Sequence, residues 1–229
     1  MNPAIIMNNK LGGSFSGDFA KMEHHAPQTN GINGNWEVCD TINDTWGFKS
    51  NDQHFKSATE MLRMMIDIVS RGGNYLLNVG PDARGSIPDP EVRRLREIGA
   101  WLNANGEAIY GASPSPFKTS LGWGRWTQKG QKLYLSIFFQ PPGGKLTVPI
   151  LNQHAKAWLL QSPDKTLDCT ADKEGIEIQL PSKMPDSMAS VVVVDPGGQL
   201  QLSASEMRAD SSSIISSAGS GNESPQPSL

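Results

Sequence analysis

The sequence predicts an α/β segment followed by an all-β sandwich. Two observations carry this. Up to about residue 112, short apolar runs of strand length alternate with two helix-periodic stretches, the order expected of βα units around a parallel sheet. After Pro114 and Pro116, five short β-rich runs follow with no helical pattern between them, as in an antiparallel sandwich. A third observation closes the chain. From Ser203 the composition turns to serine, glycine and proline with few apolar residues, which predicts a disordered tail. The expected divisions are therefore 1–112, 113–202 and 203–229.

Ala4-Ile5-Ile6-Met7, bounded by Pro3 and Asn8-Asn9, reads as a strand buried on both faces. Its position at the very start suits the inside of a fold better than a secretory leader. Gly12 to Phe19 reads as loop, and Glu23-His24-His25 as a solvated pair of histidines. Adjacent histidines cannot share one face of a helix or strand, which argues against a metal site there. Asn33-Gly34-Asn35 is turn chemistry. Trp36 and Glu37 follow it, and a second indole, Trp46, stands shortly after. An aromatic neighbour can desolvate a carboxyl and raise its pKa, as a general acid requires. The alternative for Glu37 is a solvated surface carboxylate, and for Trp46 core packing.

Ser57-Ala58-Thr59-Glu60 has the form of a capping box. Met61, Met65 and Ile68, widened by Leu62, Ile66 and Val69, form the apolar face of the helix that follows. The methionines are core packing rather than a cofactor box. Gly72-Gly73 stop this helix, and Tyr75 to Val79 form a strand that leaves into the turn-rich Gly80 to Gly85. Asp89 as N-cap and Pro90 as first helical residue open a second helix, with Leu95, Ile98, Trp101 and Leu102 inward and Asn105-Gly106 at its end. The sandwich strands are expected at Lys132–Phe139, Lys145–Ile150, Ala155–Leu160, Gly175–Leu180 and Ala189–Val194.

Composition excludes several functions. The 229 residues carry a net charge of −3, so no basic footprint for nucleic acid exists. Mean hydropathy is −0.39, and no run of eighteen apolar residues suggests a membrane span. Cys39 and Cys169 alone support neither a disulfide framework nor a zinc site.

Three stretches resemble one family. Trp36-Glu37-Val38-Cys39-Asp40-Thr41-Ile42-Asn43-Asp44-Thr45-Trp46-Gly47-Phe48 resembles the W-E-x-C-x-T-I-N-x-S-W-G-Y segment of α-L-fucosidases of glycoside hydrolase family 29. Gly73 to Pro81 resembles their G-G-N-x-L-L-N-I-G-P, and Ile98 to Tyr110 their I-G-x-W-L-x-x-N-G-E-A-I-Y. The resemblance implies a (β/α)8-like catalytic barrel and retaining hydrolysis of terminal α-L-fucosides on glycans or glycosides, with no metal and no cofactor. By the motif, Glu37 takes the acid/base role, and Trp36 and Trp46 lie near the sugar. The family's nucleophile is an aspartate in a W-x-D-type segment on an earlier strand, which these residues do not contain. Asp18 falls in a stretch resembling the loop after that strand, and Lys10 stands where the family tends to have arginine.

A complete barrel takes about 250 residues, more than precede the sandwich here. The resemblance therefore implies an incomplete barrel segment plus sandwich, the C-terminal portion of a fucosidase, inactive alone. An open parallel edge would favour self-association into a homo-oligomer. Family members are commonly secreted, periplasmic or lysosomal, which implies an extracytoplasmic compartment. The rival reading is a non-catalytic carbohydrate-binding or structural fragment.

Overall fold

The structure is a computed structural model. It describes residues 5–11, 16–27, 34–204 and 206. Its first layer is a parallel sheet of β1 (Ala20–Glu23), β2 (Trp36–Thr41) and β3 (Asn74–Asn78), in that spatial order. Helix α1 (Ala58–Ser70) makes the crossover from β2 to β3, and α2 (Asp89–Asn105) follows β3.

The strand expected at Ala4–Met7 is not found. Ala4 lies outside the described residues, and Ile5 and Ile6 are 58% and 75% exposed in irregular chain. The first strand is Ala20–Glu23 instead. Its alternation explains it: Ala20 and Met22 pack with Trp36, Val38 and Ile68, while Lys21 and Glu23 take the other face.

The capping box is formed as expected. The Ser57 side chain accepts from the Glu60 backbone N–H at 3.1 Å, and the Glu60 carboxylate accepts from the Ser57 N–H at 2.7 Å. At the other end, Gly72 takes a φ of +87°. The N–H of Gly73 then donates to Ile68 O and that of Gly72 to Val69 O, the paired bonds of a Schellman stop. Gly73 has a second constraint. A Cβ there would lie 2.5 Å from the ring carbons of buried Trp36. Gly73→Ala is expected to cost about 1–3 kcal/mol by overpacking. Gly99→Ala, inside α2 with nothing within 4 Å, should stabilise by up to about 1 kcal/mol. Urea unfolding of the two variants checks both signs. Helix α2 begins one residue earlier than expected, with Pro88 as N-cap, and the Asp89 side chain makes no capping bond.

The second half is two antiparallel sheets. One has the order β4 (Gly124–Lys129), β5 (Lys132–Ile137), β11 (Ser190–Asp195), β7 (Lys156–Leu159), β8 (Ser162–Thr166); the other has β6 (Lys145–Val148), β10 (Ile176–Gln179), β9 (Cys169–Ala171). The valine run of β11 is buried on both sides. Val192 and Val194 face the smaller sheet, with Leu146, Val148, Ile176 and Ile178. Val191 and Val193 face the helices, with Met61, Leu62, Ile66 and Trp101. One apolar cluster thus crosses the division expected at 112/113. The Trp101 indole N–H also donates across it to Ala189 O at 2.7 Å.

The tail expected to be disordered from Ser203 is anchored at its start. The N–H of Ser203 donates to Pro149 O, and the Glu206 carboxylate accepts from the N–H groups of Lys118 and Thr119. Residues 207–229 lie outside the described residues. No helix among the described residues is long and apolar enough to cross a membrane.

Candidate active site

The parallel sheet has two unlike faces. Ala20, Met22, Trp36, Val38 and Tyr75 pack with Met64 and Ile68 of α1. Strand alternation sends Lys21, Glu23, Glu37, Cys39, Asn74 and Leu76 to the opposite face. The register lays these in rows across the strands: Lys21, Glu37 and Asn74, then Glu23, Cys39 and Leu76. None of this set belongs to an apolar cluster, and Leu76 is 44% exposed.

The C-terminal end of this face gathers ionisable side chains. Glu23 is the last residue of β1, with its side chain 43% exposed. Its carboxylate pairs with the Lys10 ammonium at 3.1 Å. The hydrogen bond and charge of Lys10 hold the Glu23 carboxyl below the ordinary glutamate value. The expected result of Lys10→Ala is a rise in the Glu23 titration midpoint toward that ordinary value. A carboxyl-carbon NMR titration measures it, and an unmoved midpoint would refute the pairing.

Beside Glu23, His24 adopts a φ of +62°. Its Nδ1 lies 3.0 Å from an Asp40 carboxylate oxygen, and its ring lies against that of Trp46, centroids 4.9 Å apart. Trp46 is 41% exposed, and its carbonyl accepts from the Asn78 side-chain amide at the end of β3. Asp40 is buried. It also accepts from Lys56 Nζ at 2.6 Å, from the Tyr75 hydroxyl at 3.0 Å and from the Thr41 N–H at 2.9 Å. Burial pushes the Asp40 carboxyl up, but the Lys56 and His24 hydrogen bonds outweigh it and leave the carboxyl below the ordinary aspartate value. Burial, then the Asp40 charge, push the Tyr75 phenol well above its ordinary range.

Two clefts lie nearby. The larger, about 770 Å³, opens beside α1 and is lined by His24, Asp40, Lys56, Arg63, Asp67 and Arg125 among others. Its charges are largely paired internally: Asp67 with Arg71 and Arg125, and Asp40 with Lys56. The smaller, about 360 Å³, lies at the N-terminal end of the sheet and includes Glu37, Asn74 and Asp18. No group of three or more histidine, cysteine or acidic side chains suited to a metal ion occurs among the described residues.

The family model for α-L-fucosidase matches residues 1–107. The α-L-fucosidase of Dictyostelium discoideum is 35% identical over 170 residues, 69% of this chain and 37% of that protein. The tissue α-L-fucosidase of Homo sapiens is 32% identical over 163 residues, 67% of this chain and 34% of its own length. Among solved structures, α-L-fucosidase isoenzyme 1 from Paenibacillus thiaminolyticus aligns with a TM-score of 0.76 at 31% identity, over 86% of this chain and 50% of that one. The Thermotoga maritima α-fucosidase in complex with a mechanism-based inhibitor aligns with a TM-score of 0.68 at 30% identity, over 82% of this chain and 45% of that one.

Residues 1–107 belong to the α-L-fucosidase family.

The likeness to the fucosidase structures runs on through the sandwich, since 107 residues are far less than 86% of the chain. The chain spans about a third of the length of the curated fucosidases it matches. Within the fucosidase segment, the residues expected at the site separate. Trp36 is 3% exposed, with its ring against Gly73 and in the Val38–Ile68 cluster. The expectation that it touches sugar is corrected: the indole is core packing beneath α1. Glu37 does reach the opposite face, but as the second residue of β2, toward the strand's N-terminal end. Trp46 lies at the C-terminal end with an accessible ring.

The sequence alone does not single out Glu23. Ala20-Lys21-Met22-Glu23 does alternate apolar and polar, but over four residues the pattern is too short to mark a strand end beside a solvated histidine pair. Asp40, within the Trp36–Phe48 stretch, gathers four donors, which nothing in the local sequence announces.

Proposed function

We propose that this chain is the closing part of an α-L-fucosidase barrel with its sandwich, and that Glu23 is the acid/base of retaining hydrolysis of terminal α-L-fucosides. The position of Glu23 carries the reading. Enzymes built on (β/α)8 barrels hold their reacting groups at the C-terminal ends of the strands, and Glu23 ends β1 with its side chain on the face away from the helix. Glu23 would protonate the glycosidic oxygen as a second carboxylate attacks the anomeric carbon. It would then take a proton from the water that releases fucose. The second carboxylate, an aspartate by family resemblance, comes from a strand outside these 229 residues. Its negative charge would oppose ionisation of Glu23 and offset the pull of Lys10, keeping a proton available.

Glu37 is the second reading. It lies on the same sheet face and lines a cleft of its own, though at the other end of the strand. Trp46, exposed beside Glu23's neighbour His24, would supply a ring face for the apolar side of the sugar. The substrate is a fucosylated glycan or glycoside. The edge of β3, unpaired among the described residues, favours self-association of the isolated chain, whereas at β1 the Asn9 side chain already takes the Lys21 N–H.

The test compares two proteins. One is the 229-residue chain. The other is a barrel-completed fusion: the part of the P. thiaminolyticus enzyme that this chain does not match, followed by this whole chain. A chromogenic aryl α-L-fucoside should be turned over by the fusion and not by the chain alone. Turnover by the chain alone, or a folded but inactive fusion, would overturn the proposal.

A further inference from the structure

We propose that His24 is a positioning residue: clamped between Asp40 and Trp46, it fixes the strand end that aims Glu23 and holds the Trp46 ring at the mouth of the site. The inference rests on the assignment of Glu23 above.

Three independent observations meet at this residue. First, its backbone. His24 is the one non-glycine residue with a positive φ among the described residues. Side chains rarely adopt that conformation, and it persists only where the surroundings over-determine it. Here the backbone is pinned on both sides. The N–H of His24 donates to Cys39 O at 2.9 Å, and the N–H of His25 donates back to Glu23 O at 2.8 Å. The reversal ends β1 directly after Glu23, so the direction of that carboxylate depends on the turn being held.

Second, the side chain is oriented from behind. Ionised Asp40 accepts from Nδ1–H, which fixes the ring and its tautomer. Asp40 cannot swing, because Lys56, Tyr75 and Thr41 hold the same carboxylate and β2 buries it. The groups facing the imidazole are therefore Asp40 with its partner Lys56 on one side and Trp46 on the other. Third, the ring contact sets the indole. Trp46 is otherwise exposed, and its tilted contact with His24, at an interplanar angle of 38°, is the one ring contact it makes among the described residues. One imidazole thus couples the two groups the reaction uses, Glu23 by the backbone and Trp46 by its face.

Two substitutions separate these couplings. His24→Asn keeps a residue that tolerates positive φ and can hydrogen-bond Asp40, but it removes the ring. His24→Gly keeps the φ and removes both side-chain contacts. In the barrel-completed fusion, His24→Gly should lower kcat about tenfold or more, because small displacements of a reacting group are costly, and should also raise KM. His24→Asn should hold kcat within about threefold of the parent and raise KM to the level of Trp46→Phe. The 229-residue chain gives a readout without turnover. There the Glu23 titration midpoint should move toward the ordinary value in His24→Gly and stay low in His24→Asn.

If both variants match the parent in kcat, KM and midpoint, the proposal fails. It fails equally if they lower thermal stability alike with kinetics and midpoint unchanged, since His24 is then only structural. Glu23→Gln run beside them separates the two ideas. A Glu23→Gln fusion as active as the parent on a fucosylated glycan overturns the catalytic assignment, whereas a strongly slowed one with indifferent His24 variants overturns only the positioning role.

Discussion

Glu23→Gln in the barrel-completed fusion should lower kcat/KM on a natural fucosylated glycan about 10²–10⁴-fold, the usual worth of a positioned acid/base. Glu37→Gln should change it less than about tenfold, by the same scale. The reason is where each carboxyl stands. Both reach the same side of the sheet, but Glu23 ends β1 whereas Glu37 is paired with Lys21, two residues nearer the strand's start. At about 3.3 Å per residue that is roughly 7 Å along the strand, farther than any proton transfer can span. The leaving group refines the expectation. An alkoxide needs a proton to depart, but an activated phenolate does not, so an aryl fucoside should lose less in the first step than the glycan. The second step needs a base to deprotonate water. Azide needs none, and it should restore turnover of the aryl fucoside and give the fucosyl azide with retained configuration, the signature of a double displacement with its nucleophile intact. If Glu37→Gln is instead the inactive variant and azide rescues it, the acid/base belongs to β2 and the reading from strand ends is wrong. Loss of activity in both variants without rescue in either would point to damaged folding, which circular dichroism of the two fusions would reveal.

The contrast between these two glutamates shows what the sequence could carry. The helices and most sandwich strands were legible because their signals are local. Ser57 and Glu60 declare a helix start, Gly72 and Gly73 its end, and the valines of β11 a strand buried on both sides. The phase of a strand is not local. Trp36 and Glu37 are neighbours, so they must face opposite ways, and which one meets the core depends on α1 arriving over Trp36 from more than twenty residues downstream. The tryptophan–glutamate pair was therefore recognisable while its geometry was not. Position along the strand is equally silent in a dipeptide, because the ends of β2 are set by pairing with β1 and β3. The same applies to β4, β8 and β9. Their sequences are short or polar, and antiparallel partners make them strands. His24 is the extreme case. Its conformation is held by Asp40, Cys39 and Trp46, all distant in sequence, and a histidine pair offers no local hint of it.

Trp101→Ala should be the most destabilising single substitution of a core residue, about 3–5 kcal/mol. The indole is 2% exposed, on the helix face that meets the five-stranded sheet, and packs with Met61, Leu62, Tyr134, Val191 and Val193. Truncation opens a cavity that is walled by a rigid sheet on one side and a capped helix on the other, so little collapse can refill it. It also leaves the Ala189 carbonyl, buried beside β11, without the donor it has now. Trp101→Phe isolates that second loss. It keeps most of the packing and removes the N–H, for which about 1–3 kcal/mol is expected. For a chain of this length, the difference between the two variants should appear as several degrees in thermal midpoint. The shape of the transition matters as much as its position. Trp101 touches residues on both sides of the 112/113 division, so if the helices and the sandwich unfold as one unit, weakening this contact should shift a single transition without splitting it. Two separated transitions in Trp101→Ala, with the sandwich melting at the parent temperature, would mean that the shared cluster is a docking surface between independent units. The stability of β1 to β3, and with it the aim of Glu23, would then depend on α1 alone.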